Sequence, residues 1–177
     1  NQTLSDAIFA VAGGELIDTE SAFIDSPANA ETIATHKTAS YSFIGPLVMG
    51  AQLAEAPETF SATISTFGLN LGIAFQLQDD LLSVFGDPVV TGKTTIGDIR
   101  EGKRTHLIEQ FYQLATAEQK QQFELLYGKV NITDEDANAV RVLLQDSGAV
   151  QATQTRIEYF SSKASSALGQ LQLRSPY

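Results

Sequence analysis

The sequence predicts an all-α bundle that folds as one domain over residues 1–177. Apolar residues recur at intervals of three or four along most of the chain, which is the spacing of one helix face. No run alternates apolar and polar residues for long enough to predict a strand. The composition, 43% hydrophobic and 18% charged, is that of an ordinary globular protein. Long, mutually buried helices are therefore the expected architecture.

The first two helices are predicted from their apolar spacing and their start residues. Apolar residues at helical spacing mark a helix from Leu4 to Phe23. Ser26 then suits an N-cap, Pro27 the first helical position and Glu31 an early turn of the second helix. Pro46 lies inside this second segment, and it should kink the helix or split it in two because proline cannot donate a backbone hydrogen bond.

The third predicted helix starts after Pro57 and covers residues 58–85, where Gly86 and Pro88 end it. A polar loop over roughly residues 86–97 follows. The sequences TAEQ at 116–119 and TDED at 133–136 are capping signatures that mark two later helix starts. The remaining predicted helices cover residues 98–115, 117–129, 133–146 and 149–172.

Charge and composition exclude several function classes. A net charge of −10 argues against a nucleic-acid surface, which needs a clustered basic footprint. The chain has no cysteine, which excludes a disulfide scaffold and a thiolate metal site and fits a cytoplasmic location. No stretch of about 18 uninterrupted apolar residues occurs, so we expect no transmembrane segment.

Two adjacent aspartates, Asp79 and Asp80, interrupt the apolar sequence FQLQDDLLSVF near the end of the 58–85 helix. Gln76, Asp79, Asp80 and Ser83 are spaced to share one side of that helix. The two carboxylates repel each other, resist burial and gain nothing from the nearby helix C-terminus. Mg2+ is the expected compensating cation, because one or two carboxylates commonly hold it together with waters and substrate phosphates. A solvated helix face is the alternative interpretation.

The sequence GDPVVTGKTTIGDIREGKRTH starts at Gly86, directly after the predicted helix that carries the aspartates. It is not a nucleotide-binding P-loop, because Gly86 and Gly92 enclose five residues where that motif needs four and the preceding element is a helix. Lys93 and Lys103 can instead reach back over the aspartates and supply positive charge for an anion bridged by metal. Exposed, solubilising lysines are the alternative.

The stretch FQLQDDLLSVFGDPVVTGKTTIGDIREGKRTHLI closely resembles the second aspartate-rich region of the trans-isoprenyl (polyprenyl) diphosphate synthases. Upstream, HKTASYSFIGPLVMGAQLA looks like the lysine-threonine helix of that family, and GGELIDTESAF resembles the helix before it. The resemblance is closest in character to bacterial, actinobacterial geranylgeranyl or polyprenyl diphosphate synthases. It implies an isoprenoid-synthase-type helical bundle, of which this chain would be an N-terminally truncated part.

The resemblance also implies a reaction and a role for each matching residue. Isopentenyl diphosphate would condense head-to-tail with an allylic diphosphate such as farnesyl diphosphate, through an allylic carbocation. Asp79 and Asp80 would ligate Mg2+ on the allylic diphosphate. Cationic and neutral groups would share the remaining roles: Lys37, Lys93 and Lys103 as phosphate contacts, and the Thr38 hydroxyl, Lys37 carbonyl and Gln76 amide as dipoles that stabilise the carbocation. Members of the family are commonly homodimers.

Two departures from the family pattern stand in the sequence. Ser83 occupies the position where the third aspartate of the motif is usual, as small residues do in some actinobacterial members. No second acidic cluster with Asp-Asp-x-x-Asp spacing occurs in the chain. We therefore expect that an N-terminal portion with the first aspartate-rich motif is missing and that the 177-residue chain alone is inactive.

Two further functions remain open from the sequence. The chain could be a non-catalytic partner subunit of a heteromeric prenyl synthase, or a terpene cyclase on the same scaffold. The spacing of Gln76 to the aspartates, together with both loop lysines, favours the synthase over the cyclase. His36 and His106 are interpreted as structural or surface residues rather than acid–base groups.

Overall fold

The computed structural model describes residues 2–21, 29–92 and 94–171, including their side chains except at residues 21 and 91. The described residues contain helices and no strand, so the all-α class is confirmed. In chain order the α-helices are α1 (Gln2–Ser21), α2 (Ala30–Ala34), α3 (Gly45–Leu53), α4 (Glu58–Phe85), α5 (Pro88–Thr91), α6 (Gly97–Glu101), α7 (His106–Leu114), α8 (Ala117–Glu124), α9 (Asp134–Asp146) and α10 (Ala149–Gly169), with a π-helix (Thr35–Ile44) between α2 and α3.

The described residues group into two compact units. The first unit contains residues 2–20, 31–76 and 157–171, and the second contains residues 21, 29–30 and 77–156. Helix α4 passes from the first unit into the second after Gln76. The single domain expected from the chain length stays a prediction.

The predicted disturbance at Pro46 is a change of helix type. The chain stays helical from Ala30 to Leu53, but its middle ten residues, Thr35–Ile44, form a π-helix. The backbone N–H of Gly45 donates to the carbonyl of Ser40, five residues back, and α geometry resumes with Pro46 in the first turn of α3. Proline has no N–H to donate, so the hydrogen-bond register can change here without leaving an additional donor unpaired. Ser26 and Pro27, predicted to start this segment, lie outside the described residues, whereas Glu31 is in the first turn of α2 as predicted.

Glycines allow the helices of the first unit to approach closely. A Cβ atom added at Gly72 of α4 would lie 2.6 Å from the Cβ of Ala39 and 3.0 Å from the Phe43 ring in the π-helix. One turn earlier, a Cβ at Gly68 would lie 3.2 Å from the backbone nitrogen of Ile44. Ala39 is fully buried at this crossing, so small residues set the separation between α4 and the π-helix.

An aromatic cluster forms the centre of the second unit. The rings of Phe111 and Phe123 are 4.3 Å apart, and the ring of Tyr127 stacks on Phe123 at 4.5 Å. Phe111 and Phe123 are fully buried. Other fully buried side chains of this unit include Leu77, Ile99, Leu107, Val140 and Leu144.

Both predicted capping signatures are confirmed. Thr116 and Gln119 form a reciprocal capping box at the start of α8, and Thr133 and Asp136 do the same at the start of α9. Each box satisfies two backbone donors that the helix start would otherwise leave unpaired.

The predictions for residues 86–115 need correction. The predicted loop contains the short helix α5, whose N-terminus is capped by the Asp87 carboxylate at 2.9 Å from the Val89 nitrogen. The predicted helix over 98–115 is interrupted: α6 ends at Glu101, Gly102 adopts the left-handed conformation with φ 66°, and α7 starts at His106. A glycine tolerates this conformation at little cost and stops the helix immediately before Lys103.

Helix α4 is long and apolar enough to cross a membrane by length and composition, with a mean hydropathy of 1.2 over 18 residues. A core helix of a soluble protein passes the same test, and 33% of that window is buried inside the structure. The expected absence of a transmembrane segment stays a prediction.

Candidate active site

The aspartate pair lies in the part of α4 that belongs to the second unit. Asp80 is only 6% exposed, and Asp79 is half-buried. The hydroxyl of Ser83 donates to the backbone carbonyl of Asp80 at 2.8 Å. The Ser83 hydroxyl therefore uses its hydrogen-bond donor on the helix backbone. It also carries no negative charge at the position where the resemblance predicts a third carboxylate.

The C-terminal end of α4 receives a cationic partner from the second unit. The Nε of Arg141, on α9, donates to the carbonyl of Val84 at 2.7 Å. The same guanidinium donates to the carbonyl and the hydroxyl of Thr95, at 3.1 and 2.9 Å. A positive charge at the last turn complements the helix dipole and satisfies a carbonyl that has no partner within the helix.

Lys103 directly follows the turn at Gly102. Its Nζ atom lies 3.6 Å from a carboxylate oxygen of Asp98, and its side chain is 35% exposed. The structure therefore gives this ammonium an ion pair on its own turn. Lys93, the other lysine predicted to contact phosphate in this segment, lies outside the described residues.

Tyr127 connects the turn at Lys103 to the aromatic cluster. Its hydroxyl donates to the carbonyl of Lys103 at 2.5 Å. Burial raises the pKa of the Tyr127 phenol well above its usual value, and the negative charges of Asp98 and Asp80 raise it further. The phenol therefore keeps its proton as a hydrogen-bond donor, and it does so in the negative field of the aspartates.

Two of the predicted dipoles meet in the first unit. The Thr38 hydroxyl donates to the side-chain oxygen of Gln76 at 2.5 Å. Thr38 is 9% exposed and sits in the π-helix, a geometry that often occurs at functional sites. The structure therefore joins the lysine-threonine segment to α4 three residues before the aspartate pair, through two neutral polar groups.

Lys37, next to Thr38, is held by carboxylates of α1. Its Nζ lies 2.7 Å from Asp18 and 3.0 Å from Glu15. Burial alone would lower the pKa of Lys37, but its hydrogen bonds and charge interactions with Asp18 and Glu15 outweigh burial and raise that pKa above 10.5. Lys37 is therefore a fully charged ammonium at neutral pH.

The described residues include no group of three or more aspartate, glutamate, histidine or cysteine side chains that could hold a metal ion by themselves. Asp79 and Asp80 supply two carboxylates, which suits a cation that completes its shell with waters and phosphate oxygens. Mg2+ behaves in this way and fits the donor set. A structural Zn2+ site does not fit, because it would need four protein ligands.

Sequence reasoning missed the side chains that hold these residues in place. Gly14 permits close packing, because a Cβ at this position would overlap the backbone nitrogen of Lys37. Glycine within a predicted helix and the three-residue spacing of Glu15 and Asp18 could have indicated this face of α1. Arg141 was also detectable, since it lies on the same face of its helix as the buried Ala137 and Leu144.

Comparisons with known proteins identify the family of this chain. The profile of the polyprenyl synthetase family matches residues 1–144. The geranylfarnesyl diphosphate synthase of Aeropyrum pernix is 32% identical over 123 residues, which are 70% of this chain and 37% of that protein. The human farnesyl pyrophosphate synthase is 42% identical over 101 residues, or 56% of this chain and 24% of the relative.

Solved structures show the same similarity over nearly the whole chain. The geranylgeranyl pyrophosphate synthase of Corynebacterium glutamicum, complexed with isoprenyl diphosphate and magnesium, superposes with a TM-score of 0.88 and 33% identity. The superposition includes 98% of this chain and 51% of the Corynebacterium protein, so this chain spans about half of that protein. A polyprenyl synthase of Caulobacter crescentus gives a TM-score of 0.88 at 28% identity, with 53% of it covered. By its sequence match and its fold, this chain belongs to the polyprenyl synthetase family.

Proposed function

We propose that the gene product is a polyprenyl diphosphate synthase that joins isopentenyl diphosphate head-to-tail to an allylic diphosphate such as farnesyl diphosphate. The observation that carries this proposal is the Asp79–Asp80 pair, with Asp80 only 6% exposed, on an apolar helix of a polyprenyl synthetase family member. Two adjacent carboxylates offer oxygen ligands for a Mg2+ ion that completes its shell with waters and diphosphate oxygens.

Asp79 and Asp80 would hold Mg2+ on the allylic diphosphate. Bound Mg2+ would neutralise the charge that develops on the departing diphosphate. The solved relative from Corynebacterium is described as a complex with isoprenyl diphosphate and magnesium, which supports both the ion and the ligand class. Lys93 and Lys103 would add positive charge at the phosphates, and Lys103 would exchange its contact with Asp98 for a phosphate oxygen.

The proposed reaction begins with cleavage of the allylic carbon–oxygen bond, whose electron pair leaves with the diphosphate. The double bond of isopentenyl diphosphate then donates its π electrons to the allylic cation, which forms the new carbon–carbon bond. Loss of one proton, taken up by the released pyrophosphate, restores a double bond in the longer product. The atoms balance as one longer allylic diphosphate plus pyrophosphate.

Thr38 and Gln76 suit the stabilisation of the cation. The Thr38 hydroxyl donates a hydrogen bond to the Gln76 amide oxygen, so the hydroxyl oxygen presents lone pairs without becoming a strong nucleophile. The Lys37 carbonyl would act in the same way. The Lys37 ammonium, held by Glu15 and Asp18, would contact a phosphate while these carboxylates fix its position.

Three finer properties are part of the proposal. We expect a cytoplasmic enzyme without a transmembrane segment, in which α4 is a core helix. We also expect a homodimer, because α1 exposes apolar side chains that a second copy could bury. The most exposed of them are Phe9, Leu16 and Ile8, at 83%, 59% and 51%. Sedimentation of the intact gene product at micromolar concentration tests this, and a monomer would refute it.

The two alternatives predict different outcomes in the same assay. A terpene cyclase would release a hydrocarbon or alcohol, whereas a synthase releases a longer diphosphate. A non-catalytic partner subunit would turn over nothing alone and would change the rate or product of a complete synthase. The basic segment after the aspartates favours the synthase, because it supplies lysines for a retained diphosphate.

Substitution of Asp79 tests the site. In the intact gene product, Asp79→Ala should lower turnover by several orders of magnitude, because a carboxylate at the reacting diphosphate is lost. Ser83→Ala is the matched control on the same helix, and it should change turnover little because its hydroxyl donates to the backbone of Asp80. Near-normal activity of Asp79→Ala would show that the site is assigned wrongly.

A further inference from the structure

Residues 86–105, here called the lysine segment, connect the aspartate helix to Lys103. Within the second unit, two side chains from downstream of this segment hold it at separate points. Arg141 bonds Thr95 together with the last turn of α4, and Tyr127 bonds the carbonyl of Lys103. Neither residue belongs to the aspartate motif or to the basic residues that would contact phosphate.

The Arg141 contact fixes the segment to the end of α4. One guanidinium reaches the Val84 carbonyl at 2.7 Å and both oxygens of Thr95 at 2.9 and 3.1 Å. Its remaining nitrogen donates to Asn138 at 2.7 Å, which orients the planar group from its own helix. A lysine could not make these contacts together, because its ammonium is a point charge without the planar fork of guanidinium.

The Tyr127 contact fixes the other end of the segment. Its ring stacks on the fully buried Phe123, so the phenol is carried by the rigid centre of the unit. The next residue, Gly128, donates its backbone N–H to the carbonyl of Ile99 at 2.9 Å. Residues 127 and 128 therefore hold the turn from which Lys103 projects, on both sides of Gly102.

We propose that Tyr127 and Arg141 are positioning residues that hold Lys103 and Thr95 in register with the aspartate pair, so that the diphosphate of the allylic substrate meets a prearranged cation. The inference rests on the proposed function and extends it to residues outside the binding motif. Neither side chain would touch the substrate. Both act through the backbone of the lysine segment, so their loss should weaken allylic substrate binding in particular.

The test uses conservative variants with matched controls in the intact gene product. Arg141→Lys should raise KM for the allylic diphosphate roughly tenfold, the order expected for loss of a charge-assisted hydrogen bond. Tyr127→Phe keeps the stacked ring and should raise this KM about threefold, as for a neutral hydrogen bond. KM for isopentenyl diphosphate should stay at the wild-type value in both variants. Arg100→Lys and Tyr112→Phe, at exposed positions of the same unit, are the controls.

Amide hydrogen exchange separates the inference from the proposed function. In the intact gene product, peptides covering residues 94–105 should exchange faster in both variants than in the controls, while peptides of α9 exchange at the wild-type rate. Thr95→Val, which removes one acceptor of Arg141, provides a milder variant if Arg141→Lys does not fold.

Unchanged exchange and unchanged allylic KM would overturn the proposal, as would equal changes in both KM values together with a lower melting temperature. Faster exchange in a gene product whose wild type has no prenyl transfer activity would refute the proposed function and leave the two contacts as features of the fold only.

Discussion

Gly72→Ala tests the close approach of α4 and the π-helix, on which the Thr38–Gln76 contact depends. The added methyl carbon would lie 2.6 Å from the Ala39 Cβ and 3.0 Å from the Phe43 ring. Ordinary carbon–carbon contacts are about 3.5–4.0 Å, so the two helices would have to separate by roughly 1 Å. The Ala39 Cβ is bonded directly to the backbone, and the Phe43 atom belongs to a rigid ring. Neither atom can move aside as the end of a flexible side chain could.

Overpacking of this kind costs about 1–3 kcal/mol of unfolding free energy. For a chain of this length, each kcal/mol lowers the melting temperature by about 2–4 °C, so Gly72→Ala should melt roughly 2–12 °C below the wild type. Thermal unfolding followed by circular dichroism at 222 nm measures the shift. The matched control is Gly50→Ala in α3, where an added Cβ meets nothing within 4 Å.

The control should stabilise the protein, because alanine in an open helix position is favoured over glycine by about 0.5–1 kcal/mol. The two variants should therefore shift the melting temperature in opposite directions. If Gly72→Ala melted at or above the temperature of Gly50→Ala, the close crossing would not exist in solution. The geometry that brings Thr38 to Gln76 would then need another explanation.

Further predictions concern an ion pair and a helix cap. Because Asp18 and Glu15 raise the pKa of Lys37, the stabilisation from this cluster should be complete below pH 10.5 and be lost as the pH rises through the higher folded-state value. The difference in unfolding free energy between wild type and Asp18→Asn, measured by urea titration, should therefore be constant at pH 8–10 and shrink at higher pH; a difference that grows there would contradict this sign. Thr133→Ala removes the capping box of α9 and should cost about 1 kcal/mol in the same titration, whereas an unchanged midpoint would mean that the cap contributes nothing.

The sequence predicted the elements whose signals are local. The capping boxes at Thr116 and Thr133 were visible because the cap and its partner stand three residues apart in the chain. The aspartates and Gln76 were predicted to share a helix for the same reason, and α4 has the predicted bounds of 58–85. The interruption at Gly102 was missed because a single glycine within a helical pattern is often tolerated, and only its left-handed conformation ends α6.

Features that depend on distant contacts were beyond local patterns. The π-helix around Lys37 and Thr38 packs closely against Gly14 and Gly72, which are far away in sequence. Arg141 bonds Thr95 across 46 positions, and no spacing rule relates two such residues. The reaction class, by contrast, was predicted from the resemblance in residues 75–108, and the family match over residues 1–144 supports it.

The most direct test is a product analysis of the intact gene product incubated with Mg2+, isopentenyl diphosphate and farnesyl diphosphate. We predict a longer allylic diphosphate, released with one pyrophosphate for each condensation and abolished by chelation of Mg2+ or by Asp79→Ala. We also predict that the 177-residue chain gives no product, because its sequence contains no further aspartate-rich cluster with Asp-Asp-x-x-Asp spacing. A hydrocarbon or alcohol product from the wild type, or a longer diphosphate formed at an undiminished rate by Asp79→Ala, would contradict the assignment of the aspartate pair.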